Sequence, residues 1–594
     1  MATYSRPGVY IQEVSLPQAV QLADVSQSVG AMAGWLNKGS IAAPVLVSSW
    51  SEFVKNFGGL NDSYPTTWAA YNFFANGGRQ LYVQRLAGTG ATAGSIAFND
   101  NSGVTITATV TAASATGGTV TYTASNAYTA GQTVSITGLS TTAFNLTNVT
   151  IATANSTQFT VTNSATGTAV TGASATATVI TASNPVFTLT AINPGAWANN
   201  YAAQVVPGGT SSTFGLNLYA VNGTSYTAVE SFQDLSMSST DKNFVRTVVN
   251  TLSAYVTIGT TGFDGTKTPY KTATTPTTFT GGADGTAPVR TDYYDASTTP
   301  AGGAWAKFDT INNPIVIYSP DAAYAASSTL TTQLHGDAMI YAATRDDAFV
   351  VIDTPSGLST TAAQTNVTAS LAVAAASTTG NIAAAYYPWI NIPDGTKIPG
   401  AVRLQAPGAA VVGQYLATDA TRGVFKTPAG LGNKIAMAVS TEHAFTNAEL
   451  DALNTSTDPI NAIRQVPGAG IVIMGGRTLD NTSNNRYINI RRSLYFIEKQ
   501  IKDLSSFALF ESNDARLWSQ LRSTINSFLL TYWQQGGLRG TSPQDAYYVK
   551  VDSSTTTFAD IQNGRVNIEV GVALQYPAEF VVIKLGQLTG SATA

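Results

Sequence analysis

The sequence has 594 residues, which corresponds to about four domains. Only 11 % of the residues are charged and the net charge is −4, so the composition gives no electrostatic basis for binding nucleic acid. Cysteine is absent and there are two histidines, which excludes disulfides, thiolate metal sites and cysteine nucleophiles. We find neither a secretion signal nor an apolar run of the ~18 residues that span a bilayer. We therefore expect a soluble protein made in a cytoplasm, without membrane insertion.

Residues 1–25 are predicted to form an extended N-terminal arm. Pro7-Gly8 marks a turn, and the strand-forming residues that follow it are Val9, Tyr10, Ile11, Gln12, Glu13 and Val14. Residues 26–94 are typical of the first part of an α/β lobe. Strands are expected near 29–35 and 81–83, with two helices between them that end at glycine pairs.

Residues 95–185 have a different composition, rich in Thr, Ala, Ser, Gly and Asn. No charged residue occurs between Asp100 and Glu230. Short runs alternate between apolar and polar residues, and Gly or Asn separates them, which predicts a β-sandwich. The alternative is a disordered Thr/Ala linker. The regular alternation favours the sandwich.

The remaining chain is predicted to mix strands and helices. Residues 186–370 are typical of the second part of an α/β lobe, with buried strands near 314–318 and 348–353. Residues 371–575 contain the clearest helices. One, at 487–504, has apolar residues at a spacing of 4, 3, 4 and 3, and the next has Asn513 as its expected cap. Residues 576–594 are predicted to form a C-terminal arm, whose strand comprises Phe580, Val581, Val582, Ile583, Lys584 and Leu585.

The sequence contains no catalytic motif that we recognise. Phosphate-binding loops, zinc-protease helices, serine-hydrolase turns and EF-hand loops are all missing. Asp353 follows an apolar strand, where an α/β enzyme would place an acid, but a turn-forming role is the simpler explanation. His443 has no nucleophile beside it in the sequence. We predict a protein that is not an enzyme, with no metal and no cofactor.

Both predicted arms are short strands that Pro or Gly separates from the rest of the chain. Such strands can pair within their own chain, or they can add to the sheets of neighbouring copies. The residues alone leave both possibilities open.

Several stretches resemble the contractile tail sheath proteins of phages, in the order in which that family has them. The first is 7–14, and the others are 73–78, 387–389, 422–430, 475–479, 486–492 and 577–580. The resemblance covers nearly the whole chain except about 95–185. That block looks like the immunoglobulin-like modules inserted in many phage structural proteins.

The resemblance implies a mixed α+β multidomain fold. A sheath core domain would be built from the N- and C-terminal segments, with outer α/β lobes between them and an inserted all-β immunoglobulin-like sandwich. Many copies would form a helical sleeve around a tail tube, joined to baseplate and tail terminator proteins, without direct contact to nucleic acid. Contraction would drive the tube through the host envelope for genome ejection. The protein would belong to the virion and assemble in the host bacterial cytoplasm.

The resemblance also implies roles for particular residues. The strands at 9–14 and 580–585 would interlock neighbouring subunits, and the helix at 487–504 would face the tube. Its candidate tube-facing residues are Arg491, Arg492, Glu498, Lys499 and Lys502. A phage-derived contractile injection particle would use the same kind of sheath. A β-rich surface adhesin is the alternative from another functional class, and the lack of a secretion signal weighs against it.

Overall fold

The computed structural model describes residues 28–100, 105–170, 175–180, 185–210, 212–269, 275–298 and 301–579. The chain divides into two compact units. One unit runs up to Thr89 and resumes at Thr286, and the other is Gly90–Gly285. The backbone N–H of Thr286 donates to the carbonyl of Thr89 at 3.1 Å, so the first unit leaves and re-enters at one place.

The secondary structure of these residues is given in chain order. The strands are β1 (Val29–Trp35), β2 (Val45–Val47), β3 (Leu81–Leu86), β4 (Ser95–Asn99), β5 (Thr105–Thr116), β6 (Thr119–Ala124), β7 (Thr133–Thr137), β8 (Val149–Ala154), β9 (Gln158–Thr162), β10 (Gly167–Val170), β11 (Thr176–Ile180), β12 (Pro185–Ala191), β13 (Tyr201–Pro207), β14 (Phe214–Asn222), β15 (Ser225–Leu235), β16 (Val256–Ile258), β17 (Thr277–Thr278), β18 (Ile315–Tyr318), β19 (Ala348–Asp353), β20 (Ala383–Tyr387), β21 (Ile390–Pro393), β22 (Val402–Gln405), β23 (Ser440–Thr441), β24 (Ile460–Val466), β25 (Gly470–Met474), β26 (Tyr547–Lys550) and β27 (Glu569–Val572). The α-helices are α1 (Trp50–Phe57), α2 (Pro65–Ala75), α3 (Val245–Leu252), α4 (Arg290–Tyr293), α5 (Pro320–Ala323), α6 (Ser328–Arg345), α7 (Thr360–Ala374), α8 (Gly408–Arg422), α9 (Asn447–Thr455), α10 (Ile488–Leu504), α11 (Ala515–Gln534), α12 (Pro543–Ala546) and α13 (Phe558–Gln562).

The first unit is organised around an eight-stranded sheet with the order β2-β3-β1-β18-β19-β20-β24-β25. The six inner strands run parallel, and β2 and β25 pair antiparallel at the two edges. Every residue of β18, β19 and β20 is buried, as expected for parallel strands covered on both faces. The sequence of these strands is accordingly almost continuously apolar.

This sheet crosses two of the boundaries predicted from the sequence. Strands from 26–94, 186–370 and 371–575 all pair in it, so the predicted division at 370 runs through one continuous sheet. The physical reason is that parallel neighbours must be joined by long crossover connections, which bring distant segments side by side. Composition and local pattern do not record such pairings.

The C-terminal part of the first unit packs α10 and α11 together with the two-stranded sheet β26–β27. Phe496 and Ile497 of α10 and Ile525, Phe528 and Leu529 of α11 share one apolar cluster. The cap of α11 is Asp514 rather than the predicted Asn513. The Asp514 carboxylate accepts hydrogen bonds from the first turn of the helix, while Asn513 accepts one from the indole N–H of Trp518 at 2.8 Å.

The second unit contains the charge-poor block found in the sequence. Strands β5 to β11 pair antiparallel in the order β10-β5-β11-β7-β8-β9-β6, and an additional β5–β6 pairing closes the set. Their apolar side chains form one core that includes Tyr122, Ile136, Phe144 and Phe159. The described residues of this block are therefore organised strands rather than a Thr/Ala linker. Its assignment to the immunoglobulin-like class stays a prediction.

The rest of the second unit consists of two further sheets and α3. One sheet has the order β16-β12-β4 and the other β15-β14-β13-β17. Asn99 at the end of β4 pairs with Pro185 at the start of β12. The chain thus leaves the rest of the unit for the charge-poor sandwich, and returns from it, at adjacent strand ends. None of the helices in the described ranges combines the length and the apolar character that a membrane span requires.

Candidate functional site

The two-stranded sheet β26–β27 has one apolar face and one open face. Tyr547 and Val549 of β26 pair with Val572 and Val570 of β27, and all four pack against the cluster around α11. The alternate residues point away from this cluster, because side chains of a strand alternate between its two faces. The apolar face explains why the sheet is attached to the helices.

The backbone geometry of this sheet leaves both of its edges available. The N–H of Ala573 donates to the carbonyl of Ala546 at 2.8 Å, which fixes which residues bond inward. Because inward and outward bonding alternate along an antiparallel pair, Val549 directs its N–H and carbonyl to the outer edge of β26. Val570 and Val572 do the same at the outer edge of β27. In the described ranges no other strand pairs with either edge.

The outer face of the sheet is covered by one aromatic side chain. The ring of Tyr548 lies over Gly571, where an added Cβ would come within 2.1 Å of the ring. The hydroxyl of Tyr548 donates to the carboxylate of Glu569 at 2.9 Å, and the residue is 54 % exposed. Any larger residue than glycine at position 571 would displace the tyrosine.

A sheet of two strands is smaller than an independently stable β-sheet. Two strands alone are marginally stable in water, and three or more strands or support from a helix are needed. Here α11 supports one face, while the two edges keep backbone N–H and carbonyl groups that can pair with a further strand. This arrangement suits the addition of strands from outside the protomer.

The segment after β27 is tied to the body of the unit. The carbonyl of Ala573 accepts a hydrogen bond from the N–H of Arg539 at 2.7 Å. The side chain of Gln575 donates to the carbonyl of Leu538 at 3.0 Å, and the side chain of Asn489 donates to the carbonyl of Gln575 at 2.8 Å. These contacts attach the chain after β27 to residues 489 and 538–539 of the same unit.

The described chain ends in an ion pair at Glu579. Nη2 of Arg477 lies 2.5 Å from Oε2 of Glu579, and Nε of Arg477 lies 3.0 Å from Oε1. The hydroxyl of Tyr487 donates to the same carboxylate at 3.3 Å. Hydrogen bonding to Glu579 raises the pKa of Arg477 further above its ordinary value, and burial followed by the negative charge of Glu579 raises the pKa of Tyr487. Both groups therefore stay protonated and donate.

A groove of about 670 Å³ runs beside this segment. Leu453 and Met474 contribute apolar surface to it, and Lys426 and Arg464 contribute positive charge. Glu579 lines the same groove.

The five residues predicted to face a tube have different environments in the structure: one is buried, and four lie at or near the surface. Arg492 is buried, with 2 % of its surface exposed, and its guanidinium donates to the buried carboxylate of Asp419 and lies over the ring of Tyr415. The sequence predicted Arg492 as a possible tube-facing residue, but in this protomer its side chain is buried. An arginine in a helix pattern looks like a surface residue unless its buried acidic partner, 73 residues away in the sequence, is known.

The other four predicted residues lie at or near the surface. Arg491 stacks on the ring of Tyr495 at 4.2 Å, and Lys499 pairs with Asp503 at 2.5 Å. Glu498 and Lys502 are exposed. Contact of these residues with a tube stays a prediction. The predicted arm strands at 9–14 and 580–585 lie outside the described residues.

Several residues of this site have no role predicted from the sequence. Arg477, Tyr487, Asn489 and Glu579 occur in the stretches that carry the family resemblance, but nothing in their local pattern shows that they meet. The strands β26 and β27 are four residues each, too short for their alternation to stand out. Only the alternation of valine and tyrosine at Tyr547, Val549, Val570 and Val572 could have indicated them.

The residues weighed as catalytic candidates have structural surroundings. Nε2 of His443 lies 3.0 Å from Oε1 of Glu449, which also caps the start of α9 with Thr446. Asp353 is buried and accepts hydrogen bonds from the hydroxyl of Tyr318 and the N–H of Gly408, and burial raises its pKa to about 7. Across the described ranges no His, Asp or Glu side chains are grouped closely enough to hold a metal ion.

Comparison with known proteins agrees with the resemblance seen in the sequence. Residues 480–585 match the model of the phage tail sheath C-terminal domain. No curated protein matches the chain. Among solved structures, the sheath tail protein of Listeria innocua is 12 % identical, with 92 % of this chain and 95 % of that chain covered and a TM-score of 0.51. The contracted helical sheath of the anti-feeding prophage is 17 % identical, with 98 % and 100 % covered and a TM-score of 0.50.

At these identities the solved structures establish the fold. The predicted mixed α+β multidomain fold is confirmed. The predicted resemblance to contractile sheath proteins is confirmed as well: residues 480–585 match the phage tail sheath C-terminal domain, and the chain has the fold of contractile tail sheath proteins.

Proposed function

We propose that this protein is the subunit of a contractile sheath, and that its arms link neighbouring subunits by adding strands to the sheet β26–β27. The open edges of that sheet are the observation that carries the proposal. The predicted arm strands at 9–14 and 580–585 supply the complementary partners.

The energy of such a linkage comes mainly from side-chain burial. Ordering the six residues of an arm strand costs about 6–12 kcal/mol. Backbone hydrogen bonds return about 1 kcal/mol each, which barely balances this cost. Burying Val9, Tyr10, Ile11 and Val14 contributes about 1.5–3 kcal/mol per side chain. The apolar residues of the arm therefore decide whether it stays bound.

The chain outside the described ranges is long enough to reach another copy. The 27 residues before Ser28 can extend over at most about 90 Å. The 15 residues after Glu579 can extend over at most about 50 Å. Both distances exceed the diameter of a single domain.

A contact between one surface and a different surface of the next copy generates a helix when it does not close into a ring. The resulting sleeve would surround a tail tube and connect to baseplate and tail terminator proteins. Subunits would rotate as rigid bodies during contraction while the shared strands keep them linked. The work would come from new contacts between subunits, so this function needs neither catalysis nor a cofactor, and the sheath would be part of the virion.

A phage-derived injection particle is the second candidate setting for the same sheath. The fold similarity to the sheath of the anti-feeding prophage favours it alongside a phage tail. Both settings use the same linkage between subunits. They differ in whether the tube delivers a genome.

Electron microscopy of the purified full chain tests this proposal. We expect tubular sheaths of regular diameter in negative stain. Deleting residues 1–14 should leave soluble subunits that do not polymerise. A control chain in which residues 9–14 are replaced by six Gly and Ser residues keeps the length of the arm and should fail in the same way. Normal sheaths from either variant would contradict the proposal.

A further inference from the structure

Residues 573–579 form the base of the C-terminal arm. The strongest of their contacts is the ion pair of Glu579 at the end of this segment. The contacts of Ala573 and Gln575 are hydrogen bonds between neutral partners. The contact of Glu579 joins a carboxylate to a guanidinium through both oxygens. Bidentate charged pairs are stronger and more directional than neutral hydrogen bonds.

Arg477 is held rigidly before it meets Glu579. Its Nη1 donates to the carbonyl of Asn454 at 2.8 Å and to Oδ1 of Asn481 at 2.9 Å. Its backbone N–H donates to Oδ1 of Asn461 at 2.9 Å, and its carbonyl accepts from Nδ2 of Asn461 at 2.8 Å. The residue is 9 % exposed. The guanidinium therefore offers a fixed point rather than a mobile charge.

Asn461 connects this fixed point to the centre of the eight-stranded sheet. It belongs to β24 and pairs in parallel register with Tyr386 of β20. Its Nδ2 also donates to the carbonyl of Ala385 at 3.2 Å. A continuous chain of hydrogen bonds thus runs from Glu579 through Arg477 and Asn461 to β20.

We propose that the pair Arg477–Glu579 is the load-bearing anchor of the C-terminal arm. A pull on the arm enters the protomer at Glu579 and passes through Arg477 and Asn461 into β24 and β20. This inference rests on the proposed function, in which the arm is attached to another subunit. Arg477 acts as a positioning residue, because it fixes the point and direction from which the arm leaves.

The position of the anchor explains why a sheath subunit needs it. Without Glu579, a pull would load the hydrogen bonds of Gln575 and Ala573 one after another. The tension would then reach the hydrogen bonds between β27 and β26, which would break one after another. The anchor lies beyond β27 in the chain, so it keeps tension away from the sheet that receives the arms.

Hydrogen exchange on the full-length subunit tests the anchoring step. In Glu579→Ala we expect exchange of the Ala573 amide, which donates to the carbonyl of Ala546, to rise at least tenfold, with the melting temperature of the subunit within 2 °C of the wild type. Glu511→Gln is the matched control, since Glu511 is exposed in the loop before α11. Arg477→Lys keeps the positive charge but loses the second donor, and should give an intermediate rise. Unchanged exchange in Glu579→Ala would overturn the anchor.

Mechanical breakage of assembled sheaths tests the load-bearing step. After a defined shear, we expect sheaths of Glu579→Ala to be at least twofold shorter in electron micrographs than wild-type or Glu511→Gln sheaths. Equal lengths would overturn the load-bearing role even if exchange has risen. A wild-type chain that forms no sheath would contradict the proposed function and the load-bearing role together, while the exchange experiment would still decide whether Arg477 anchors the arm.

Discussion

The charge-poor sandwich β5–β11 and the small sheet β26–β27 differ in how far the edges of their strands are paired. In the sandwich the β5–β6 pairing joins the two ends of the strand order from β5 to β6, with β10 at an edge, and the strands bury an apolar core of their own. The sheet β26–β27 leaves both edges unpaired in the described chain and exposes Tyr548 on its outer face. The core of the first lies within one protomer, and we propose that strands from neighbouring copies complete the second. On this proposal, the unpaired edges of β26–β27 form the assembly surface, while the unusual composition of the sandwich has no part in it.

The largest effect is expected from proline in the open sheet. In Val549→Pro the lost N–H points outward, so the hydrogen bonds between β26 and β27 stay intact while the edge can no longer accept a full strand. We expect no sheaths in electron micrographs and a folded, soluble subunit. Val549→Ala trims the same side chain but keeps the N–H, and should assemble. Equal assembly of both variants would show that this edge is not used.

A smaller effect is expected from the buried acid Asp353 in the eight-stranded sheet. Burial raises its pKa from 3.8 to about 7, so the folded protein resists ionisation that the unfolded chain undergoes freely. The contribution of this group to stability is full below pH 4, falls as the pH rises to 7, and stays constant above. Over that range it changes the free energy of unfolding by roughly a few kcal/mol.

Asp353→Asn should flatten this pH dependence. The amide cannot ionise, and its oxygen can still accept from Tyr318 and Gly408. Urea unfolding at pH 4.5, 5.5, 6.5 and 7.5 measures how the free energy of unfolding changes with pH. Asp321, whose pKa burial raises to about 6, still contributes to this change in the variant. An unchanged slope would contradict the role of Asp353. Because this acid lies inside the protomer, sheath assembly at pH 5 should be unaffected.

A still smaller effect is expected inside the sandwich. The hydroxyl of Tyr122 donates to the carbonyl of Phe144 at 2.9 Å, and the side chain is fully buried. Tyr122→Phe removes this donor and should destabilise the sandwich by about 1–3 kcal/mol. Hydrogen exchange across β6 and β9 measures the change. Sheath assembly should stay normal, and a loss of assembly would show that the sandwich takes part in subunit contacts.

Removal of the whole sandwich should have the smallest effect on assembly. Asn99 and Pro185 are paired, so residues 100–184 can be replaced by Asn-Gly, which favours a tight hairpin between β4 and β12. We expect the shortened chain to fold and to form sheaths of wild-type length. Failure to polymerise, with the shortened subunit still folded, would contradict the comparison between the two regions.

The sequence predicted the elements whose signals are local. The strand pattern of the sandwich, the buried strands of the large sheet and the two long helices follow from alternation, apolar runs and helical spacing. What depends on distant partners was not predictable. Arg492 meets Asp419, and Arg477 meets Glu579, across 73 and 102 residues of sequence. The cap Asp514 was missed because two adjacent residues, Asn513 and Asp514, are both good caps.

A cryo-electron microscopy structure of the assembled sheath, examined at the sheet β26–β27, tests the proposed linkage of subunits most directly. We expect strands from other copies, formed by residues 9–14 and 580–585, to pair with the edges at Val549 and Val570. A sheath in which both edges stay unpaired, or in which both arms fold back onto their own protomer, would contradict it.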